Sequence, residues 1–248
     1  MSYQLLTNHH STNNQQPTTN NEKMCGRYSF APKPKQLDAQ LRDVQRPAEL
    51  KISYNIAPTH AAYVITNHAW QLQTMEWGLV PHWSADGKNS GKLINARAEG
   101  IAEKPSFREP VHSKRCLVPA DSFYEWRKEA GGRKIPYRIF LENGDLLFIA
   151  GIWDEWKKGS EIKRTFSIIT TTPNIEMAAL HNRMPVILPD TKAQQRWLSS
   201  LSLDEALALL HPVADGSLTM YRVSEKLNKP GYDAADLQEE LWEEWRLF

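Results

Sequence analysis

Met24-Cys25-Gly26-Arg27-Tyr28 separates two kinds of sequence. Before it, residues 1–23 are rich in Asn, Gln, Thr and Ser and nearly devoid of bulky apolar side chains. Such a segment cannot bury enough surface to offset the entropy of ordering it. After it, Cys25 to Phe30 alternates as a short strand. The chain is therefore expected to divide into a disordered extension or leader at 1–23 and one domain over 24–248. Cys25 has two readings. A free cysteine packs as a small hydrophobe, which would place it in the core of a first strand. If instead the mature chain starts at Cys25, a thiol and a free α-amine share one residue, and together they can capture an aldehyde.

The composition is that of an ordinary soluble globular protein. A formal net charge of +1 means that a nucleic-acid partner would need a local basic surface. Cys25 and Cys116 do not make a disulfide framework, so a reducing cytoplasm is expected. No apolar run approaches a membrane span and no apolar signal region opens the chain. A Walker loop, a dinucleotide fingerprint and zinc-spaced cysteines are all absent from the sequence, so neither a cofactor nor a metal is expected. Most of the nine tryptophans are read as packing and some as stacking surfaces.

Periodicity predicts mostly strands. Ala62 to Thr66 pairs with Gln71 to Trp77, and Tyr54 to Pro58 is extended. Arg115 to Pro119, Ser122 to Arg127, Tyr137 to Leu141, Leu146 to Trp153 and Thr165 to Thr170 follow. Asn143-Gly144 reads as a hairpin turn. Leu37, Leu41 and Val44 lie at helical spacing, and Lys104 to Arg108 is a basic loop or short helix. Thr172-Pro173 fits an N-cap with proline at N1. Ser202 with Glu205 is a capping box. A last helix from Asp233 would gather Leu237, Leu241, Trp242 and Trp245 on one face. Asn95, Arg97 and Glu99 share one face of an extended segment, which is unusual for packing alone. Glu125, between Tyr124 and Trp126, is either a paired structural charge or a tuned acid/base.

The opening stretch occurs in one order with Leu93-Ile94-Asn95-Ala96-Arg97-Ala98-Glu99, Phe123-Tyr124-Glu125-Trp126 and Leu180-His181-Asn182-Arg183-Met184-Pro185. Tyr54-Asn55-Ile56-Ala57-Pro58 and Val223-Ser224 accompany them. Over roughly Met24 to Lys229 the chain resembles the SRAP family of abasic-site processing proteins. The resemblance implies an α+β single domain whose antiparallel sheets curl toward a barrel with flanking helices. It implies a partner, single-stranded DNA containing abasic sites, held as a covalent thiazolidine on an exposed N-terminal Cys25. Asn95, Glu125 and His181 match the family's other active-site positions. Removal of the leader would make Cys25 an autoproteolytic nucleophile as well. Arg27, Arg97, Lys104 and Arg108 are candidate phosphate contacts, and Trp83 and Trp126 candidate stacking platforms. A monomer, cytoplasmic and nucleoid-associated when on DNA, is expected. Two other readings stand beside this one: a cysteine peptidase acting in trans through Cys25 and His181, and a non-covalent single-strand binding module. Strand cleavage by β-lyase chemistry is a side branch of the first.

Overall fold

A computed structural model describes residues 26–88, 91–129 and 131–242. The extension at 1–23, Met24, Cys25 and Trp245 lie outside the described residues. The chain runs β1 (Tyr28–Phe30), α1 (Pro34–Gln40), β2 (Ser53–Ile56), β3 (Ala61–Thr66), β4 (Ala69–Trp77) and β5 (Asn95–Arg97). Next come α2 (Pro105–Ser113), β6 (Arg115–Ala120), β7 (Ser122–Lys128), β8 (Lys134–Leu141), β9 (Leu147–Lys158) and β10 (Glu161–Thr171). It closes with α3 (Ile175–Ala178), β11 (Met184–Pro185), α4 (Thr191–Leu198), α5 (Leu203–Leu207) and β12 (Leu218–Arg222), followed by two 3₁₀ turns.

Two sheets result. One is antiparallel, in the order β12-β8-β7-β1-β2. The other runs β10-β4-β3-β6-β9, and β9 pairs again with β10, so five strands close on themselves. Closure removes the edges that an open sheet would expose. The expected α+β barrel-like architecture is what forms, with one addition: β10 pairs in parallel with β4 and with β5. The second sheet is therefore mixed. Branched and aromatic side chains fill the space between the sheets, among them Tyr28, Phe30, Val64, Ile65, Trp77, Leu117, Phe123, Phe166 and Ile169. Arg115 joins the helices to the barrel. Its buried guanidinium donates to the carbonyls of Val111, His112, Trp197 and Ser199. A buried charge is tolerated when its donors are satisfied in this way. Among the described residues no helix is long and apolar enough to cross a membrane.

Several local expectations change. Asn143-Gly144 does turn, with Gly144 at φ 73°, but it joins no hairpin. β8 belongs to the first sheet and β9 to the second, so the turn carries the chain between layers. The cap of α3 is Asn174, whose Oδ1 accepts from Met177 N at 3.1 Å, two residues beyond the predicted threonine. Among the described residues, the segment of the expected last helix forms a 3₁₀ turn over Ala235–Gln238. Leu237 packs with Tyr124, Val223 and Leu227, while Leu241 and Trp242 are exposed. The capping box of Ser202 and Glu205 forms as expected.

Gly151 on β9 lies between β6 and β10, paired with Cys116 and Ile168. A Cβ there would fall 2.9 Å from Cys116 Sγ and 3.1 Å from Ser167 O. Gly151→Ala should therefore lower unfolding stability by about 1–3 kcal/mol through overpacking, read as a reduced urea midpoint with an unchanged slope.

Candidate functional site

The site has two walls, one from each sheet. On the first, Tyr28 pairs with Phe123, and Tyr124 N donates to Arg27 O at 2.9 Å. Continuing that antiparallel register sets Gly26 across from Glu125. Side chains alternate along a strand, so Glu125 shares the inward face of β7 with the core residue Phe123. It is 3 % exposed. A Cβ on Gly26 would have no described atom within 4 Å, so β1 begins beside open space.

The second wall is built on the end of β10. Asn95, Ala96 and Arg97 pair with Ile168, Ile169 and Thr170. Ala96 is buried, while Asn95 is half-buried and Arg97 exposed. On the same strand, Thr170 and Thr171 pair with Pro185 and Met184, which brings in the segment after α3. There His181 N donates to Met177 O at 2.7 Å. The Nδ1 of His181 accepts from Arg183 N at 3.1 Å. An accepting Nδ1 carries no proton, so the neutral ring holds its hydrogen on Nε2 and presents that atom as a donor.

A bidentate ion pair binds the second wall together. Arg183 Nη1 and Nη2 each donate to a Glu99 carboxylate oxygen at 2.8 Å, and Nη2 also donates to Thr170 O at 2.7 Å. Both residues stand in the sequence motifs, where nothing local gives either a role; their opposite charges in two polar motifs are the available signal. The two walls meet through aromatic rings. Tyr28 stands edge-on to Trp77, with centroids 5.1 Å apart. Trp77 Nε1 donates to Ile94 O at 2.9 Å, the residue before Asn95.

The candidate DNA contacts separate into three groups. Arg27 is half-buried and donates through Nη1 to Asn55 Oδ1 at 2.6 Å and Leu227 O at 2.9 Å. Its guanidinium lies 5.9 Å from the Trp126 ring, and Trp126 Nε1 donates to Asn228 Oδ1. Arg27 and Trp126 thus form one internally bonded unit at the mouth of the first wall. Arg97, Lys104 and Arg108 are exposed, on β5 and on the first turn of α2. Trp83 is 58 % exposed on the loop between β4 and β5. Among the described residues no group of three or more His, Cys, Asp or Glu is placed to hold a metal.

Comparison with known proteins agrees with this architecture. The family profile described as SOS response associated peptidase (SRAP) matches residues 24–230. The chain is 39 % identical over 224 residues to the abasic site processing protein YoqW of Bacillus subtilis, covering 87 % of this chain and 99 % of that one. It is 31 % identical over 227 residues to the abasic site processing protein HMCES of Gallus gallus, covering 77 % and 67 %. A Bacteroides thetaiotaomicron protein solved by X-ray crystallography superposes with a TM-score of 0.77 at 32 % identity, covering 88 % of this chain and all of that one.

Hydrogen bonds from Arg183 hold the Glu99 carboxyl below the ordinary glutamate range, against a smaller opposing effect of desolvation. A depressed folded-state pKa stabilises fully above the unfolded value of about 4.3, and the effect is lost as pH falls through the folded value. Glu99 is 53 % exposed, so solvent screening keeps the contribution small. Carbon-13 titration of Glu99 should show a midpoint below the ordinary range, and Arg183→Ala should move it upward.

Proposed function

We propose, from the premise that this chain belongs to the SOS response associated peptidase (SRAP) family, that it recognises abasic sites in single-stranded DNA and holds them covalently on Cys25. The names of the relatives at 31 % and 39 % identity support abasic-site processing. One structural observation carries the covalent step: the β1–β7 register that sets Gly26 opposite the buried Glu125. Cys25 is the residue before Gly26, and consecutive Cα atoms are about 3.8 Å apart. This short spacing supports the reading in which Cys25 and Glu125 act together. In this reading residues 1–23 are a leader and 24–248 the processing domain. Hydrolysis of the Met24–Cys25 bond, by the cysteine thiol when the leader is attached or by an aminopeptidase when translation starts at Met24, frees the α-amine.

The chemistry starts from the closed deoxyribose hemiacetal. His181 donates from Nε2 to the ring oxygen, Glu125 accepts the proton of the C1′ hydroxyl, and the ring opens to the aldehyde. The Cys25 amine adds to C1′, and the carbinolamine loses water to give a Schiff base. The thiolate then adds to the same carbon. Carbon–nitrogen and carbon–sulfur bonds have formed, the carbonyl oxygen has left as water, and a five-membered thiazolidine remains. Free α-amino and thiol groups are mostly protonated at neutral pH, with pKa values of about 8 and about 8.5. Both nucleophiles need a base, and Glu125 supplies it. Asn95 holds the amine or a sugar hydroxyl by hydrogen bonds. Arg97, Lys104 and Arg108 offer charge to the phosphates, and Trp83 and the Arg27–Trp126 unit offer surfaces to the bases. The protein acts as a monomer on chromosomal DNA in the cytoplasm.

Protein beginning at Cys25, mixed with a single-stranded oligonucleotide containing an abasic site, should gain the oligonucleotide's mass less one water. The product should survive denaturant, as read by intact mass spectrometry. Glu125→Gln and His181→Ala should each slow the gain by about 10²-fold or more. An undiminished yield from Cys25→Ser would overturn the thiazolidine, and binding of intact and abasic strands with equal affinity and no mass gain would leave a simple binding module.

A further inference from the structure

Between β4 and β5 the chain runs Gly78-Leu79-Val80-Pro81-His82-Trp83-Ser84 and leaves the Trp83 side chain largely in water. Exposed side chains on connecting segments normally ride on mobile backbone. Here the backbone is pinned on both sides of the tryptophan. Before it, His82 N donates to Asp154 Oδ2 at 2.8 Å, and His82 Nδ1 lies 3.1 Å from the same oxygen. After it, Trp156 Nε1 donates to Ser84 O at 2.7 Å. Gly87 then lies flat against the Trp156 indole: a Cβ there would fall 2.5 Å from the ring's Cζ2. Lys163 Nζ closes the clamp, donating to Gly87 O at 3.2 Å while standing 5.5 Å from the Trp156 ring centroid.

Both anchors come from one strand. Asp154 and Trp156 are two residues apart on β9 and so project from the same face. They are 1 % and 2 % exposed. A buried carboxylate is unfavourable unless it is paired and hydrogen-bonded. Asp154 meets that condition with Lys114 Nζ at 2.6 Å and His82 as its partners, and His82 Nε2 lies 3.5 Å from Glu109 Oε2. A charged cluster and a buried indole therefore converge on the two neighbours of a side chain that itself stays bare.

We infer that Asp154 and Trp156 are positioning residues, which hold the Trp83 indole at a fixed place and angle as a stacking surface for a base of the bound strand. Neither residue touches DNA; each acts through the loop. The inference rests on the proposed DNA-binding function and identifies what keeps its exposed platform rigid. A rigid ring loses less entropy on stacking than one that must first be ordered.

Fluorescence anisotropy with a labelled, undamaged single-stranded oligonucleotide reads this contact without needing the crosslink. Trp83→Ala should weaken binding about five-fold or more, the loss of one base–aromatic stack. Trp156→Phe keeps a ring but removes the donor to Ser84 O, and should weaken binding about three-fold. In the Trp83→Ala background, Trp156→Phe should add nothing. Asp154→Asn and the peripheral Lys163→Ala should follow the same pattern, and Lys163→Ala serves if the buried variants do not fold. Losses that multiply independently of Trp83, or a Trp83→Ala variant that binds normally, would overturn the inference. If the cycle holds but abasic DNA adds no mass, the covalent function fails and the clamp stands. If the crosslink is normal but the cycle fails, the clamp is wrong and the covalent function stands.

Discussion

One indole, that of Trp77, fixes how the two sheets face each other beside the candidate site: its Nε1 donates to Ile94 O at 2.9 Å within the second sheet, and Tyr28 of the first sheet packs against its ring. Trp77 is fully buried, so an unpaired N–H there would carry its full desolvation cost. The way to satisfy it and keep the ring packed is to hold the start of β5 against the end of β4. Tyr28 rests edge-on against the other side of that ring, and Phe166 stacks on it with centroids 6.4 Å apart. Glu125 belongs to the sheet of Tyr28, and Asn95 follows Ile94. The separation of the two walls is therefore set by an aromatic cluster that takes no part in the chemistry. Strands give two of the candidate residues their geometry: Asn95 on β5 and Glu125 on β7 stand on backbone whose position is over-determined by the core, whereas His181 lies in the segment between α3 and β11.

The strands are legible in the sequence because each is either an alternating run, as in β4, or a continuous apolar run bounded by turns, as in β9. β3, β4, β6, β7, β8, β9 and β10 all fall where apolar periodicity puts them, give or take their ends. The sheet partners are not legible from local pattern. Asn143-Gly144 has the chemistry of a hairpin turn whichever strand comes next, and only the fold decides that β8 and β9 separate. Parallel pairing of β10 with β4 and β5 likewise joins segments far apart in sequence. The candidate site residues Asn95, Glu125 and His181 stand out only as members of motifs. A half-buried histidine after a short helix looks ordinary until Arg183 N is seen donating to its Nδ1. Asp154 belongs to no motif at all. Its signal is a carboxylate that directly follows the apolar run Leu147 to Trp153 and precedes Trp156, a placement that demands partners.

Formal charge gives little guide to the surface that a nucleic acid would meet. Arg115 is enclosed by four backbone carbonyls. Arg138 lies against Asp121, Ser122 and Tyr221, and Arg27 against Asn55 and Leu227. These guanidiniums hold the interior together, and burial pulls Arg27 and Arg115 below the usual arginine range. The positive charge that remains accessible near the second wall is local, at Arg97, Lys104 and Arg108. Carboxylates share that surface, since Glu99 lies close enough to Arg97 to feel its charge and the exposed Glu103 and Glu109 adjoin Lys104 and Arg108, so a net charge of +1 says little about the local field.

Holding the nucleophile at the mouth of a strand has a mechanical consequence. A residue on a free terminus samples many directions, and each must be given up when it attacks; fixing such a group in advance can supply much of a bimolecular barrier. Here the chain is paired from Arg27 onward by the bond to Tyr124. In the proposed function Cys25 is tethered two residues before that bond. The proposed acid, His181, has its backbone N–H bonded to Met177 O and its ring held through Nδ1 by Arg183 N. A tethered nucleophile used with an oriented proton donor would suit the proposed substrate, a sugar that must enter closed, open in place and then be pulled into a new ring.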